Sequence, residues 1–155
     1  LLRKDSTYYK ELLLMSSSKD EKELKKGLAH ENEAVRYWAA NGISNLHSKP
    51  GSKLIKKLKL MLRDQNINVA IAAAAALLKH ENESQDLLAP IKNGFRSKNE
   101  WTRLQSALVV DDFSFVAAAL ENTIQKQKES DPNKYVVRVV NHALNCLNKT
   151  SFNVK

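Results

Sequence analysis

The sequence predicts an all-α protein, a right-handed superhelix of helical hairpins with about nine helices in four repeats. The first observation is a recurring helix start. An asparagine, which can accept a hydrogen bond from a free backbone N–H of the first helical turn, recurs at intervals of 34, 33 and 34 residues. These residues are Asn32, Asn66, Asn99 and Asn133. The second observation is an apolar residue eleven places after each asparagine, namely Ile43, Leu77, Val110 and Leu144.

Composition is the third observation. The 155 residues include only 4 glycines and 3 prolines, too few for a chain of short strands and turns, and 43% are hydrophobic. A chain of this length can bury one core, so we predict a single repeat domain over residues 1–155. The sequence has no run of 18 apolar residues, so no membrane span is predicted. The chain begins at Leu1 without a methionine or a signal peptide, and we therefore expect it to be a fragment of a longer protein.

Local signals predict the first elements in order. The stretch 5–15 reads as a helix with one apolar side. Asp20 followed by Glu23 has the form of a capping box and opens a second helix that ends near His30. The first repeat helix follows over 33–46.

Pro50 and Gly51 interrupt the helical pattern, since proline cannot continue a helix and glycine permits a turn. Ser52 is positioned to cap the next helix. The second repeat helix is predicted over 67–79, and its alanine run at 72–76 favours close packing between helices.

The second half repeats this alternation. A short helix is predicted over 84–95, and Pro90 within it predicts a kink or a late start. The third repeat helix is predicted over 100–111, a single helix over 113–127, and the fourth repeat helix over 135–147.

The repeat start Asn-x-x-Val-Arg resembles HEAT repeats, with Arg36 and Arg103 in step and Arg138 displaced by one place. The chain is also similar, over nearly its whole length, to the C-terminal helical extension of bacterial sulfatases of the arylsulfatase and heparan N-sulfatase group. Three stretches carry this similarity, at 35–40, 99–105 and 133–145.

The resemblance implies that the chemistry of the parent protein, hydrolysis of a sulfuric ester or a sulfamate, belongs to an upstream α/β domain. In that family a Cys-x-(Pro/Ala)-x-Arg motif supplies the formylglycine, and carboxylates hold calcium. Here Cys146 is followed by Leu-Asn-Lys-Thr, so the motif is absent. We therefore expect no catalytic residue, no cofactor and no metal ligand, and a non-catalytic scaffold whose partner is the upstream domain or another protein. The resemblance also implies a periplasmic or extracellular location.

The repeat register predicts an interaction surface. At about 100° per residue, the places one, five, nine and twelve after each asparagine lie opposite the core-facing stripe. The middle of this face is apolar, with Ile71, Leu104 and Leu108 at its centre and Tyr37 and Arg138 on its rim. We predict a docking surface for protein here. The alternative is that neighbouring helices or a curled terminus cover these side chains.

A basic run is the main charged feature of a chain whose formal net charge is +8. It could bind a polyanion such as a sulfated glycan, although a solvated outer helix face is the preferred explanation. Its residues are Lys53, Lys56, Lys57 and Arg63. The alternative function is a basic HEAT protein that binds nucleic acid in the manner of a DNA glycosylase. It needs lysine and arginine together with an acid and aromatic residues on the concave face, and the repeat register places few there. Aromatic residues are only 6% of the chain, so stacking platforms for single-stranded nucleic acid are scarce.

Other reactive side chains receive structural interpretations. Asp111 and Asp112 could act as a base, but Asp112 also fits as the cap of the helix that begins at Phe113. Cys146 is predicted to pack as a small hydrophobe, which disfavours a bilin-lyase type of HEAT protein with a reactive exposed cysteine or acid. The four histidines lack the spacing of a metal site and are His30, His47, His80 and His142.

Overall fold

The computed structural model of the protein describes residues 2–81 and 84–152, with the side chains of residues 10–81 and 84–149. Over these residues the protein is all-α, with ten α-helices, one 3-10 turn and no strand. The all-α prediction is confirmed. The chain divides into two compact units, Leu1–Asn82 and Glu83–Lys155. Among the described helices, none is long and apolar enough to cross a membrane.

The first unit contains five helices in two layers. They are α1 (Leu2–Ser17), α2 (Glu21–Gly27), α3 (Glu33–Ser44), α4 (Ser52–Met61) and α5 (Ile67–His80). Helices α1, α3 and α5 form one layer, with α3 in the middle. Helices α2 and α4 form the other layer, where α2 packs on α3 and α4 packs on α5. The predicted repeat helices at 33–46 and 67–79 are thus present, with ends that differ by one or two residues.

Small residues allow the close approach of helices in the first unit. A side chain at Gly42 would overlap the backbone carbonyl oxygen of Met15 and would lie 2.7 Å from Cδ2 of Leu24. Helix α1 therefore crosses α3 with its backbone almost in contact. On α5 the alanine run is almost wholly buried, as predicted for close packing.

The second unit repeats this plan. A 3-10 turn (Gln85–Leu87) leads into α6 (Leu88–Gly94), α7 (Glu100–Asp112), α8 (Ser114–Ala119), α9 (Glu121–Ser130) and α10 (Lys134–Phe152). Helices α7 and α10 pack on each other in one layer. Helices α6, α8 and α9 form the other layer, where α6 packs on α7 and both α8 and α9 pack on α10. The start residues 88, 100 and 134 of α6, α7 and α10 each lie 67 residues after the start residues 21, 33 and 67 of α2, α3 and α5.

All four predicted asparagine caps are present. Each Asn side chain accepts a hydrogen bond, 2.8 to 2.9 Å long, from the backbone N–H two residues further on. Each Asn backbone N–H in turn donates to the side chain two residues before it, so that every repeat helix begins with two consecutive side-chain caps. Those preceding acceptors are His30, Asp64, Ser97 and Asp131.

Two of the predicted caps are wrong in detail. Asp20 caps α2 through the Lys22 N–H, but Glu23 accepts from the Ser18 hydroxyl instead of closing a capping box. Gly51, not Ser52, precedes α4 and supplies no side-chain cap. Its N–H donates to the Glu21 carboxylate at 3.0 Å, a partner from another helix that local sequence does not reveal.

The predicted helix over 113–127 is two helices, because the chain bends at buried Leu120, whose φ is −110° and ψ is 17°. This break accounts for the tenth helix. Asp112 is the last residue of α7, and Phe113, not Asp112, holds the N-cap position of α8, which begins one residue later than predicted. Pro90 lies in the first turn of α6, where a missing N–H costs little, and the predicted late start is confirmed.

Candidate functional site

Two arginine–aspartate bridges fix the starts of the repeat helices within each unit. Arg36 on α3 donates from Nε and Nη2 to the two carboxylate oxygens of Asp64, at 2.8 and 2.9 Å. Its Nη1 donates to the backbone carbonyls of residues 30 and 31. Arg103 on α7 bonds Asp131 in the same way, at 2.7 and 3.2 Å, and reaches the carbonyls of residues 97 and 98. Each bridge spans 28 residues and ties one repeat helix to the next.

The two bridges shift the pKa values of Arg36, Asp64 and Arg103. Burial on its own would raise the pKa of Asp64, but hydrogen bonds from Arg36 and from the Asn66 N–H, and the charges of Arg36 and Lys57, together lower it. The hydrogen bond to Asp64 raises the pKa of Arg36, and the bond to Asp131 raises that of Arg103. Both arginines therefore stay charged in a nearly buried position.

The residues of the predicted interaction surface belong to both units. Ile71 is fully buried, so its assignment to an exposed centre is wrong; α5 is covered around nearly its whole circumference. Tyr37 is half-buried, and its ring meets Trp38 edge to face at 5.5 Å. Leu104, Leu108 and Arg138 all belong to the second unit, where Leu104 is half-buried and the other two are exposed.

Helices α7 and α10 lie side by side and form a continuous face in the second unit. At one end Asn133 donates to the Glu100 carboxylate at 2.7 Å, and at the other His142 meets Asp111 at 2.6 Å. We define this α7/α10 face by Glu100, Trp101, Leu104, Leu108, Asp111, Lys134, Tyr135, Arg138 and His142.

Two aromatic side chains extend the apolar part of the α7/α10 face. Trp101 is 66% exposed and Tyr135 is 52% exposed, while Leu108 is 49% exposed. Trp101 and Tyr135 occupy the same place, two residues after the cap, on neighbouring helices. The Lys134 ammonium lies 5.3 Å from the centre of the Tyr135 ring. Neither aromatic residue was predicted as part of the surface, although their shared place in consecutive repeats was a detectable signal.

The predicted polyanion patch is partly dispersed. Lys53 and Lys56 border a recess of about 490 Å³ beside α4, together with Lys49, Lys59 and an apolar floor from Pro50 and Ile55. Lys57 is instead half-buried near Asp64, and Arg63, after the end of α4, does not line the recess.

Glu81 neutralises part of the recess. Lys49 pairs with it at 2.9 Å and Lys59 at 3.3 Å, and these two hydrogen bonds lower the pKa of the Glu81 carboxyl. Neither Lys53 nor Lys56 is part of a salt bridge among the described residues. The recess therefore presents two unneutralised ammonium groups above an apolar floor.

A third cluster joins residues that the sequence analysis treated separately. Nδ1 of His142 lies 2.6 Å from Oδ1 of Asp111, and its Nε2 lies 3.8 Å from Sγ of Cys146. Cys146 is exposed, so its predicted packing as a small hydrophobe is wrong. Asp111 and His142 are 31 positions apart in the sequence, so their pairing was not evident, although the repeat register could have revealed it.

Two of the other histidines make structural contacts, and His47 is exposed. Nδ1 of His30 accepts from the Asn32 N–H, and Nε2 of His80 lies 2.8 Å from the Ile43 carbonyl oxygen. Within the described part of the chain, no three His, Cys, Asp or Glu side chains converge as metal ligands would.

The chain matches no protein-family model, no curated protein and no solved structure.

Proposed function

We propose that the chain is a HEAT-like helical-repeat domain, a right-handed superhelix that binds a protein partner through its α7/α10 face. Three features support this proposal: the four asparagine caps in register, the two arginine–aspartate bridges and the two-layer packing of helices inside each unit. Repeats of this kind bury a continuous core and present one row of helices as an extended binding surface.

The observation that carries the proposal is the exposed apolar surface of α7 and α10. Trp101, Leu108 and Tyr135 expose about half or more of their side chains on two adjacent helices. Exposed apolar groups that recur on one face are a mark of protein interfaces, and tryptophan, tyrosine and arginine dominate the energetically important positions of such interfaces.

The flanking charges define the partner's chemistry. Lys134 and Arg138 stand beside the aromatic side chains, and the whole protein carries a formal net charge of +8. A matching surface would combine apolar side chains with aspartate or glutamate, as an amphipathic acidic helix does. We propose that this surface belongs to the domain encoded immediately upstream, a sulfatase catalytic domain if the resemblance at 35–40, 99–105 and 133–145 holds. In this role the chain is a scaffold and not itself a hydrolase.

Binding to the upstream domain tests the proposal. The double variant Trp101→Ala, Tyr135→Ala should weaken binding of the separately produced upstream domain at least about tenfold, the loss of one or two interface anchors. The matched control is Leu60→Ala, which truncates an equally exposed apolar side chain on α4 in the first unit. Interferometry with unchanged far-UV spectra would measure both. Equal binding by the double variant and the wild type, or equal losses in both variants, would contradict the proposal.

A second candidate function is polyanion binding at the α4 recess, favoured by the unneutralised charges of Lys53 and Lys56 above the apolar floor. Lys53→Glu, Lys56→Glu should elute from immobilised heparin at distinctly lower salt than the wild type, since each lost cation removes a counterion-releasing contact. The control is the double variant Lys92→Glu, Lys98→Glu, which makes the same charge change at exposed lysines in the other unit. Identical shifts for the two variants would show that retention follows net charge alone, and the recess would be discarded.

A further inference from the structure

We infer that Asp111, His142 and Cys146 form a proton relay that makes Cys146 a nucleophile toward small disulfides, and hence a site of thiol–disulfide exchange. The inference does not rest on the proposed protein-binding function, although Asp111 and His142 also belong to the α7/α10 face. It rests on side chains from two helices that the fold brings into line, with the carboxylate, the imidazole and the thiol in successive contact.

Geometry assigns a role to each group. A charged carboxylate can only accept, so the 2.6 Å contact with Asp111 places the imidazole proton on Nδ1 of His142. The lone pair of Nε2 is thereby directed outward, and the Cys146 sulfur lies 3.8 Å from it. His142 and Cys146 are four residues apart on α10, the spacing that places two side chains on the same side of a helix. A nucleophile beside a base, with that base oriented by a third group, is the arrangement that activates thiols.

The cluster is open to a small reagent. Cys146 is exposed, and the His142 side chain is 67% exposed, whereas the Asp111 side chain is 25% exposed and held on the packed helix α7. The orienting carboxylate of Asp111 is therefore held in place, while the reacting thiol of Cys146 is accessible. Lys149, three residues after Cys146, adds a positive charge at the adjacent position of the helix surface.

The exchange needs no reagent beyond the disulfide. Nε2 of His142 takes the thiol proton, and the Cys146 sulfur then attacks one sulfur of the disulfide. A new sulfur–sulfur bond forms as the old one breaks, and the departing thiolate leaves with its electron pair and takes the proton back from the imidazolium. Cys146 is oxidised to one half of a mixed disulfide, and the released half of the reagent is reduced to a thiol. Asp111 stays ionised and stabilises the imidazolium during the transfer.

A single cysteine makes the test direct, because all colour released from an uncharged aromatic disulfide, dipyridyl disulfide, reports Cys146. At neutral pH, His142→Gln should slow the reaction about tenfold, and Asp111→Asn should slow it by a smaller factor, since general-base help is lost or misdirected. Added imidazole should restore part of the rate to His142→Gln but not change the wild-type rate. His47→Gln, a change at an exposed histidine outside the cluster, should react as the wild type does.

The melting temperature of each variant separates reactivity from folding, and the exposed position of His142 favours an intact fold. The inference is overturned if His142→Gln reacts at the wild-type rate, or if it reacts slowly and imidazole restores nothing. It is also overturned if wild-type Cys146 reacts no faster than cysteine in a short peptide of residues 141–151. Binding of the upstream domain is not needed for any of these measurements, so the two proposals can fail separately.

Discussion

Individual polar side chains decide where the repeat helices begin. Each asparagine cap is itself capped by the residue two places earlier, and in two of the four copies that residue is an aspartate which also bonds an arginine. One carboxylate therefore satisfies a backbone N–H and a guanidinium at once. The Asp64 side chain is only 6% exposed. Removing its charge should therefore destabilise the protein more than removing one partner of a surface ion pair would.

Asp64→Asn tests this at the residue scale. The lowered pKa of Asp64 means that the unfolded chain takes up its proton first as the pH falls. Its stabilising contribution is fully present above the ordinary value of 3.8 and is lost as the pH falls further, through the folded-state pKa. The variant should be about 2 kcal/mol less stable than the wild type at pH 7, the scale of hydrogen bonds to a charged group.

Urea denaturation at neutral pH and at about pH 3 measures the difference. We expect the gap between Asp64→Asn and the wild type to shrink in acid. Asp20→Asn makes the same change at an exposed cap and should cost less than about 0.5 kcal/mol, because asparagine caps as well as aspartate. A gap that is the same at both pH values would mean that the carboxylate's charge does not contribute.

At the scale of the helices, glycine positions determine how closely neighbours approach. Gly42 lies in the middle of α3, where alanine would normally be the better helix former by about 1 kcal/mol. Here the Cβ atom would overlap the backbone carbonyl of Met15, which cannot move away as a flexible side chain could.

Gly42→Ala should therefore destabilise the protein by about 2 kcal/mol, since overpacking outweighs the gain in helix propensity. The free energy of unfolding from a urea titration measures the effect. A stabilised variant would show that α1 does not cross α3 at this point.

Sequence reasoning succeeded where the signals are local. The four asparagine caps and the four repeat helices follow from residues within one turn of each other, so the predicted starts are correct to within one residue. The last helix, predicted to end at residue 147, continues to Phe152. Sequence reasoning failed at Leu120, where the helix breaks without a glycine or proline to mark the bend. It failed too at Ile71, because a projection about one helix axis cannot tell that α5 is covered on its other sides.

The site residues were harder to predict than the fold. Arg36 and Arg103 were recognised as being in step, but their partners are 28 residues away. The pairing of Asp111 with His142 likewise depends on the register of two packed helices. Such contacts are set by tertiary packing, and only a comparison of equivalent places along consecutive repeats could have suggested them.

For the whole molecule, the shift of 67 residues between the two units lets one unit predict the other. Ser106 in the second unit is fully buried, and its hydroxyl oxygen has no hydrogen-bond partner among the described residues. The equivalent place in the first unit holds Ala39, also fully buried.

Ser106→Ala should therefore stabilise the protein by about 1 kcal/mol, because it removes a buried polar group that gains no hydrogen bond. Chemical denaturation of the variant beside Ser114→Ala, a change at an exposed serine, measures the effect. A loss of stability in Ser106→Ala would show that the hydroxyl does have a partner.

The alternation of the bridges also restricts how such a protein can lengthen. An arginine follows the caps at Asn32 and Asn99, and its aspartate precedes the caps at Asn66 and Asn133. Duplicating or deleting one helical hairpin would place two like copies in succession, leaving a nearly buried guanidinium without its carboxylate or the reverse. Duplicating two hairpins together preserves every pair. A change in length by 67 residues therefore keeps every arginine with its aspartate, whereas a change by one hairpin does not.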